Sequence, residues 1–560
     1  MIGTATDRWR AKGLALLAAA LVFTACVGGE STETTTAGTE GDGGATTTAA
    51  AEGEGTQAPD GELASLVISL DSDVNTLEPH TLRSTGAFAA TGALYQGLLR
   101  ERLEEDENGL LLSTKEFEPN LAADWSEDGA QVTFTIREGI QFADGDPIVA
   151  EDFQWTIQRA LNSFLLAQLG LFGVDDPADV AAQNEQTLVL TPDRTGPVFE
   201  QLMSHQHGAT ALDAEEIQEH ATEDDPWAFE WLADNATPNG PYVLESFDRD
   251  SQVVLAPNPN YWNPDALHNG GITIRFVPDG EQRALLVQRG ELDFANGIPS
   301  RVLAELENDP NVLVYRAPSS RLHYMGLNTQ IAPFDNVDVR RAISYAIPYQ
   351  EIVDTTLFGF GNTAGGFISR NMITYAGDEI GTYETDLEMA TQLLEQAGVE
   401  PFGIELAVRQ SRAEEQDAAV LIQENLRQVG IDVEVAILPD GEFFERLNAK
   451  ELPMWIHDWY QWGEDPFLLM SFLIESSAFT NYAQYFNPEL DAIIAEGLGE
   501  SDEGRRQELS RQAQEILLSD APLVYLYNKD WHAVTGPGVT GVNKDMTEIP
   551  QLEWLANEGE

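Results

Sequence analysis

The chain has 560 residues, with 94 Asp and Glu against 30 Lys and Arg, a formal net charge of −64 at pH 7. Binding nucleic acid or anionic lipid headgroups rests on Lys and Arg replacing counterions, so the charge argues against both partner classes. The carboxylates run through the whole chain and lysine is scarce, which reads as a solvated acidic surface rather than a steering patch. One cysteine, Cys26, leaves no disulfide within the chain, no CxxC redox pair and no cysteine-ligated zinc.

From the N-terminus, Arg8, Arg10 and Lys12 precede an apolar run from Leu14 to Phe23, followed by Thr24, Ala25 and Cys26. A charged stretch, a short apolar stretch and small residues at the cut mark a secretory signal, with roughly half the apolar length that crossing a bilayer needs. The end of this segment resembles the bacterial lipobox, with Phe23 where leucine is usual. That resemblance implies a signal peptide over 1–26 and diacylation of Cys26, tethering the protein to the outer face of the cell membrane. Residues 27–60 are almost entirely Gly, Ser, Thr, Ala and Glu. They bury too little to offset their ordering entropy and are expected to form a flexible acidic linker spanning roughly 35 Å.

Residues 63–560 are enough for a large core and too many for a single compact domain. Val132, Phe134 and Ile136 alternate with polar residues and predict a half-buried strand. Over 386–398, Met389, Leu393, Leu394 and Ala397 share one helical face that ends at Gly398, and 417–430 repeats the pattern with Ile422, Leu426, Val429 and Gly430. Ile431, Val433, Val435 and Ile437 then alternate as a strand. Helix, glycine, strand in succession is an α/β signature. The texture changes near 315–330 and again near 525–535, which fits two lobes with the C-terminal tail returning to the first. The expected division is lobe I over 63–320, with an inserted subdomain, lobe II over 321–525, and a return over 526–560.

The chain contains no G-x-S-x-G elbow, Walker A loop or H-E-x-x-H helix. His205 and His207 lack a third metal ligand, and Asp144, Asp146 and Asp152 lack the spacing of a calcium loop. GFGNTAGG at 359–366 does not join a strand to a helix as dinucleotide binding requires. No enzyme activity, cofactor or metal is expected. The stretch MWIHDWYQWGEDPF at 454–467 gathers Trp455, Trp459, Tyr460, Trp462 and Phe467 around Asp458, Glu464 and Asp465. Such a cluster suits a ligand with apolar parts and a cation, and equally suits a core strand leading into a loop.

A collinear series of segments resembles the family 5 solute-binding proteins, the peptide-binding lipoproteins of ABC importers. It comprises VNTLEPH at 74–80, YQGLL at 95–99, PNLAADWSEDG at 119–129 and TFTIREGIQFADGDPIVAEDF at 133–153. It continues with NGPY at 239–242, NPNYW at 258–262, IRFVPDGEQRALLVQRGELD at 274–293 and LNTQIAPFDNVDVRRAISYAI at 327–347, and ends with LRQVGIDVEV at 426–435, YFNPELD at 485–491 and APLVYLY at 521–527. Glu78 stands where Asp is usual. The resemblance implies a two-lobed, periplasmic-binding-protein-like α/β fold that closes on ligand by a hinge. It also implies a monomer that captures peptides and hands them to permease subunits driven by a cytoplasmic ATPase. On this pattern Asp458 would hold a peptide's α-ammonium, with Trp455, Trp459 and Trp462 around it. Trp155 would be an aromatic contact, Tyr324 would lie on a neighbouring strand, Val74, Asn75 and Thr76 would face the peptide backbone, and Arg446 would be a candidate for its C-terminus. Oligosaccharides or a metal complex such as nickel are alternative ligands within the family; an extracellular hydrolase on this scaffold finds no nucleophile–base pair.

Overall fold

The computed structural model describes residues 63–560, apart from 82–83, 130, 164–168, 171, 250, 373, 460–464 and 560. Cys26, the expected signal peptide over 1–26 and the expected linker over 27–60 lie outside the described residues. The chain enters through β1 (Leu66–Ser69), an apolar strand buried except for Val67. Helix α1 (Thr85–Leu94) follows, its first turn capped by the Ser84 side chain accepting from Ala87 N. A hairpin of β2 (Leu99–Glu105) and β3 (Leu111–Pro119) leads into an inserted antiparallel sheet. That sheet consists of β4 (Ala122–Asp128), β5 (Gln131–Ile136), β6 (Val180–Asn184) and β7 (Thr187–Leu190), in the order β4-β5-β7-β6.

The alternation in β5 buries Val132, Phe134 and Ile136 against Phe153 and Ile157 of α2 (Ala150–Ala160), giving this subdomain its own core. Arg159 of α2 ties it to the entry segment. Its Nη1 donates to Glu78 Oε1 at 2.8 Å, its Nε donates to Trp227 O at 2.9 Å, and its guanidinium lies 4.0 Å from the Phe229 ring centroid. Glu78, the departure from the family pattern, is therefore half of a buried, hydrogen-bonded ion pair. The chain returns through β8 (Tyr242–Asp248), β9 (Gln252–Pro257), β10 (Ile272–Arg275), β11 (Phe294–Ala295), helix α3 (Ser300–Leu306) and β12 (Leu313–Ala317).

Residues 318–321 leave this sheet for a second one. Its strands are β13 (Leu322–Leu327), β14 (Gly361–Thr363), β15 (Phe402–Arg409), β16 (Ile431–Leu438), β17 (Met454–Trp459) and β18 (Leu523–Lys529), in the order β14-β18-β13-β17-β15-β16. Helix α4 (Leu387–Ala397) starts with the Asp386 side chain accepting from Met389 N and stops at Gly398, whose φ of +67° is open to a residue without Cβ. Helix α5 (Ala413–Gln428) connects β15 to β16, which pair in parallel from Phe402↔Ile431 to Arg409↔Leu438. The expected alternation in β16 is only half buried: Ile431 and Val433 are covered, whereas Ile437 is 52% exposed. β16 is the edge strand of its sheet, so its far end has no neighbour on that side. Helix α6 (Asp440–Asn448) leads to β17.

β19 (Trp531–Thr535) then pairs antiparallel with β11 and β12 in the first sheet, whose full order is β12-β19-β11-β1-β10-β9-β8. The two sheets are thus joined by 318–321 and by Asp530. The second crossing lies four residues beyond the expected return at 526, because LVYLYNK continues as one strand paired with β13 and β14 up to Lys529. Each sheet carries separate hydrophobic cores. Two bodies with separate cores and two short connections are built for hinge closure. Among the described residues, no helix is long and apolar enough to cross a membrane.

Candidate functional site

β15, β16 and β17 run parallel, and Arg412, Asp440 and Asp458 lie at or just beyond their carboxyl ends. In open α/β sheets this is where ligands bind. A cavity of about 480 Å3 opens there, walled on the other side by Asp71, Arg283 and Gly297 of the first lobe, with Arg321, Asp530 and Trp531 from the two crossings.

β17 supplies the central carboxylate. Its ladder with β13 sets Tyr324 opposite His457 and His323 opposite Asp458, whereas its ladder with β15 covers only Met454 and Trp455. Side chains alternate along a strand, so Trp455 and His457 turn to one face while Ile456 and Asp458 turn to the other. Asp458 is 8% exposed and faces the cavity. Its Oδ1 accepts from Arg409 Nη2, and its Oδ2 lies 3.4 Å from Arg321 Nη1. Arg409 also pairs with buried Glu415, its Nε donating to Glu415 Oε2 at 3.2 Å. Two buried acids therefore share one guanidinium.

Their proton affinities diverge. Burial pushes the Asp458 carboxyl up, but Arg409, the His457 ring with Nδ1 3.6 Å from Oδ1, Arg412 and Arg321 outweigh it and hold it well below the usual carboxylate range. Burial also raises Glu415; Arg409 opposes this and the Asp458 charge reinforces it, leaving Glu415 at about 7. The Arg409 guanidinium is held in its charged form by both carboxylates against its own burial.

Two further cations face the same space. Arg412 is exposed on the cavity wall between β15 and α5. Arg283 is 3% exposed and donates to backbone carbonyls, at 2.9 Å to Asn296, 2.7 Å to Val277 and 2.6 Å to Gly297. Burial lowers its proton affinity.

Among the described residues singled out from the sequence, Asp458 lines this cavity and the others do not. Trp455 and Tyr324 are turned by strand alternation into the core of the second lobe, and Trp455 covers Gly326 so closely that a Cβ there would lie 2.2 Å from the indole. Trp459 is half-buried against the same core, and Trp462 lies outside the described residues. Trp155 sits on α2 with its ring centroid 5.9 Å from that of Trp227. Val74 borders a separate small groove beside Phe247, Asn75 offers its carbonyl to Arg249 at 2.5 Å, and exposure at Thr76 is partial. Arg446, on α6, donates to Glu405 at 2.6 Å and does not reach the cavity. Asp152 caps its own helix by accepting from Val149 N at 2.9 Å, leaving Asp144 and Asp146 grouped with Asp213 instead.

Sequence reasoning missed Arg409, Arg412, Glu414 and Glu415. The signal for them was present in VRQSRAEE, a dense run of charge between a strand and the helix that follows it. The carboxyl-end rule for parallel strands would have singled out that run.

Two lobes with separate cores, two short crossings and a charged cavity between them define a solute-binding protein that closes on its ligand. The chain belongs to the bacterial extracellular solute-binding proteins, family 5; the model of that family's middle region matches residues 116–481. It is 28% identical over 498 residues to a probable D,D-dipeptide-binding periplasmic protein of Escherichia coli K12, covering 88% of this chain and 93% of that one. It is 26% identical over 553 residues to heme-binding protein A of Haemophilus influenzae, covering 94% and 95%. Among solved structures, an ABC transporter-associated periplasmic binding protein of Helicobacter pylori in complex with the peptide STSA superposes with a TM-score of 0.77 at 24% identity, over 89% of this chain and 99% of that one. A binding protein in complex with agropinic acid from A. tumefacien R10 gives 0.73 at 19%, over 89% and 99%. The shared fold carries different ligands in these relatives, so the choice of ligand rests on the cavity.

Proposed function

We propose that the protein captures short peptides outside the cell membrane and delivers them to an ABC importer, a permease with a cytoplasmic ATPase. The observation that carries this reading is the pairing of opposite charges in one polar cavity. Asp458 has Oδ1 fixed by Arg409 and Oδ2 only loosely approached by Arg321, while Arg412 stands exposed on the same wall. An α-ammonium fits at Asp458 Oδ2, with Arg409 setting the carboxylate's orientation, and a peptide carboxylate fits at Arg412. Ile456–Trp459, which run past the β15 ladder, offer a strand edge for an extended backbone.

The aromatic rings on the cavity wall among the described residues, beside its histidines, are Tyr527 and Trp531, few for a sugar-stacking platform, and the charged lining suits neither haem nor an apolar solute. A volume of about 480 Å3 falls within the range of small-ligand sites and favours short peptides over long ones. Diacylation at Cys26 would keep a monomeric receptor at the membrane surface, within the reach of the linker over 27–60. The test is calorimetry with a mixed tri- to pentapeptide pool and the same pool N-acetylated. Micromolar binding that acetylation abolishes supports the reading, and absence of heat with both pools overturns it.

A further inference from the structure

Glu414 stands in the first turn of α5, on the second lobe's wall of the cavity, and its carboxylate reaches the first lobe. Its Oε1 accepts from Ser300 N at 3.0 Å and from Ser300 Oγ at 2.7 Å. Lys529 Nζ, one residue before the crossing at Asp530, donates to Oε1 at 2.9 Å and to Oε2 at 2.8 Å. Ser300 follows Pro299, whose side chain has no acceptor to offer the N–H groups at the start of α3. The acceptor comes instead from the opposite lobe. Burial raises the Glu414 carboxyl, but Lys529 and Ser300 outweigh it and hold it at about 2, so the group is ionised at every pH at which the protein works.

A second tie between the lobes lies beside the hinge. Phe360 comes from the loop leading into β14, yet it is 2% exposed in a first-lobe cluster with Ala295 and Val534. Its carbonyl accepts from Asp530 N at 3.1 Å, and Arg316 lies 4.9 Å from its ring centroid. This contact lies at the crossing itself, so it belongs to the hinge rather than to the faces that meet across the cavity. Lys529 holds the Glu414 carboxylate from within the second lobe, while the bonds from the Ser300 N–H and hydroxyl cross from the first lobe and are the ones lost when the lobes part. None of them involves a ligand.

We propose that Glu414 is a positioning residue that sets how far the empty protein is closed, a latch between the lobes that bound solute reinforces rather than creates. Parting the lobes leaves the Ser300 N–H and hydroxyl without their acceptor, which weights the closed arrangement before any ligand arrives. Because only the closed arrangement surrounds a ligand, apparent affinity scales with that weighting.

The test needs no ligand, so its outcome is independent of whether peptides are the solute. Full-length protein carrying Cys26→Ser, with dyes on cysteines introduced by Asp248→Cys in the first lobe and Glu395→Cys in the second, reports the closed-to-open ratio by single-molecule energy transfer. The wild-type latch is expected to show a measurable closed population. Glu414→Gln should lower the closed-to-open ratio about tenfold, the loss of one charge-assisted interaction. Glu414→Asp, which keeps the charge but shortens the reach to Ser300, should lower it similarly, and Ser300→Ala should lower it about threefold. An unchanged ratio in Glu414→Gln and Glu414→Asp, both shown folded by an unaltered melting temperature, overturns the proposal. An equally open distribution in wild type and both variants overturns it too.

Discussion

Replacing Asp458 by Asn removes one charge while leaving an oxygen for Arg409, and Arg409 keeps Glu415 as a partner. The size of the effect follows from the two oxygens. Oδ1 is committed to Arg409, and Oδ2 has Arg321 at 3.4 Å. Near an effective dielectric constant of about 20, unit charges at that distance attract by about 5 kcal/mol, and an ammonium at about 2.8 Å by about 6 kcal/mol. An ammonium that displaced Arg321 would gain only about 1 kcal/mol, and one that shared the oxygen with it would gain the about 2–5 kcal/mol typical of a buried charge pair. The expected loss in Asp458→Asn is about 2 kcal/mol, or about 30-fold in Kd. Calorimetry with a binding peptide and its N-acetylated form, on wild type and variant, isolates the contact as a double cycle. Acetylation should cost the wild type about 30-fold and the variant almost nothing. An equal acetylation penalty in both proteins would refute the assignment of Asp458 to the ammonium.

Arg412→Ala should weaken a free peptide about tenfold and leave its C-terminal amide unaffected, read by the same calorimetry; equal losses for both would place the carboxylate elsewhere. Gly326→Ala drives a Cβ to 2.2 Å from the Trp455 ring and should destabilise the fold by about 1–3 kcal/mol or more, seen as a lower midpoint in denaturant. Glu415→Gln tests the shared guanidinium through pH. The folded-state pKa of Glu415 is raised to about 7, so the folded protein retains a proton that the unfolded chain releases. This component of wild-type stability therefore grows as pH falls from about 7 towards about 5, by about 1.4 kcal/mol per pH unit, and the variant should lack it. Parallel stability–pH curves for wild type and Glu415→Gln would contradict that sign.

Elements defined by local periodicity were legible without coordinates. The strand at Val132–Ile136, the helix ending at Gly398 and the unit through Gly430 into Ile431 all follow from which residues must be buried and which glycine can take a positive φ. The two changes of texture near 315–330 and 525–535 fall where the chain crosses between sheets. Within the site, Asp458 was singled out from the sequence and lines the cavity, whereas Trp455 and Trp459, expected beside it, pack against the core of the second lobe. Alternation reveals that Trp455 and Asp458 face opposite ways without revealing which way is the core.

The sequence by itself determined the α/β character, the two-lobed fold and the family, because burial periodicity and short contiguous motifs are local properties. The tertiary structure alone decided the charge partners. Asp458 meets an arginine from a strand 49 residues earlier, Glu78 meets one 81 residues later, and Glu414 reaches across to Ser300, 114 residues away. In a chain with 94 acids and 30 basic side chains, nearly any pairing is available on paper. Which ones form depends on the few positions where strand order and lobe closure bring a carboxylate and a donor together away from water, since only there is a charge pair strong enough to shape a site.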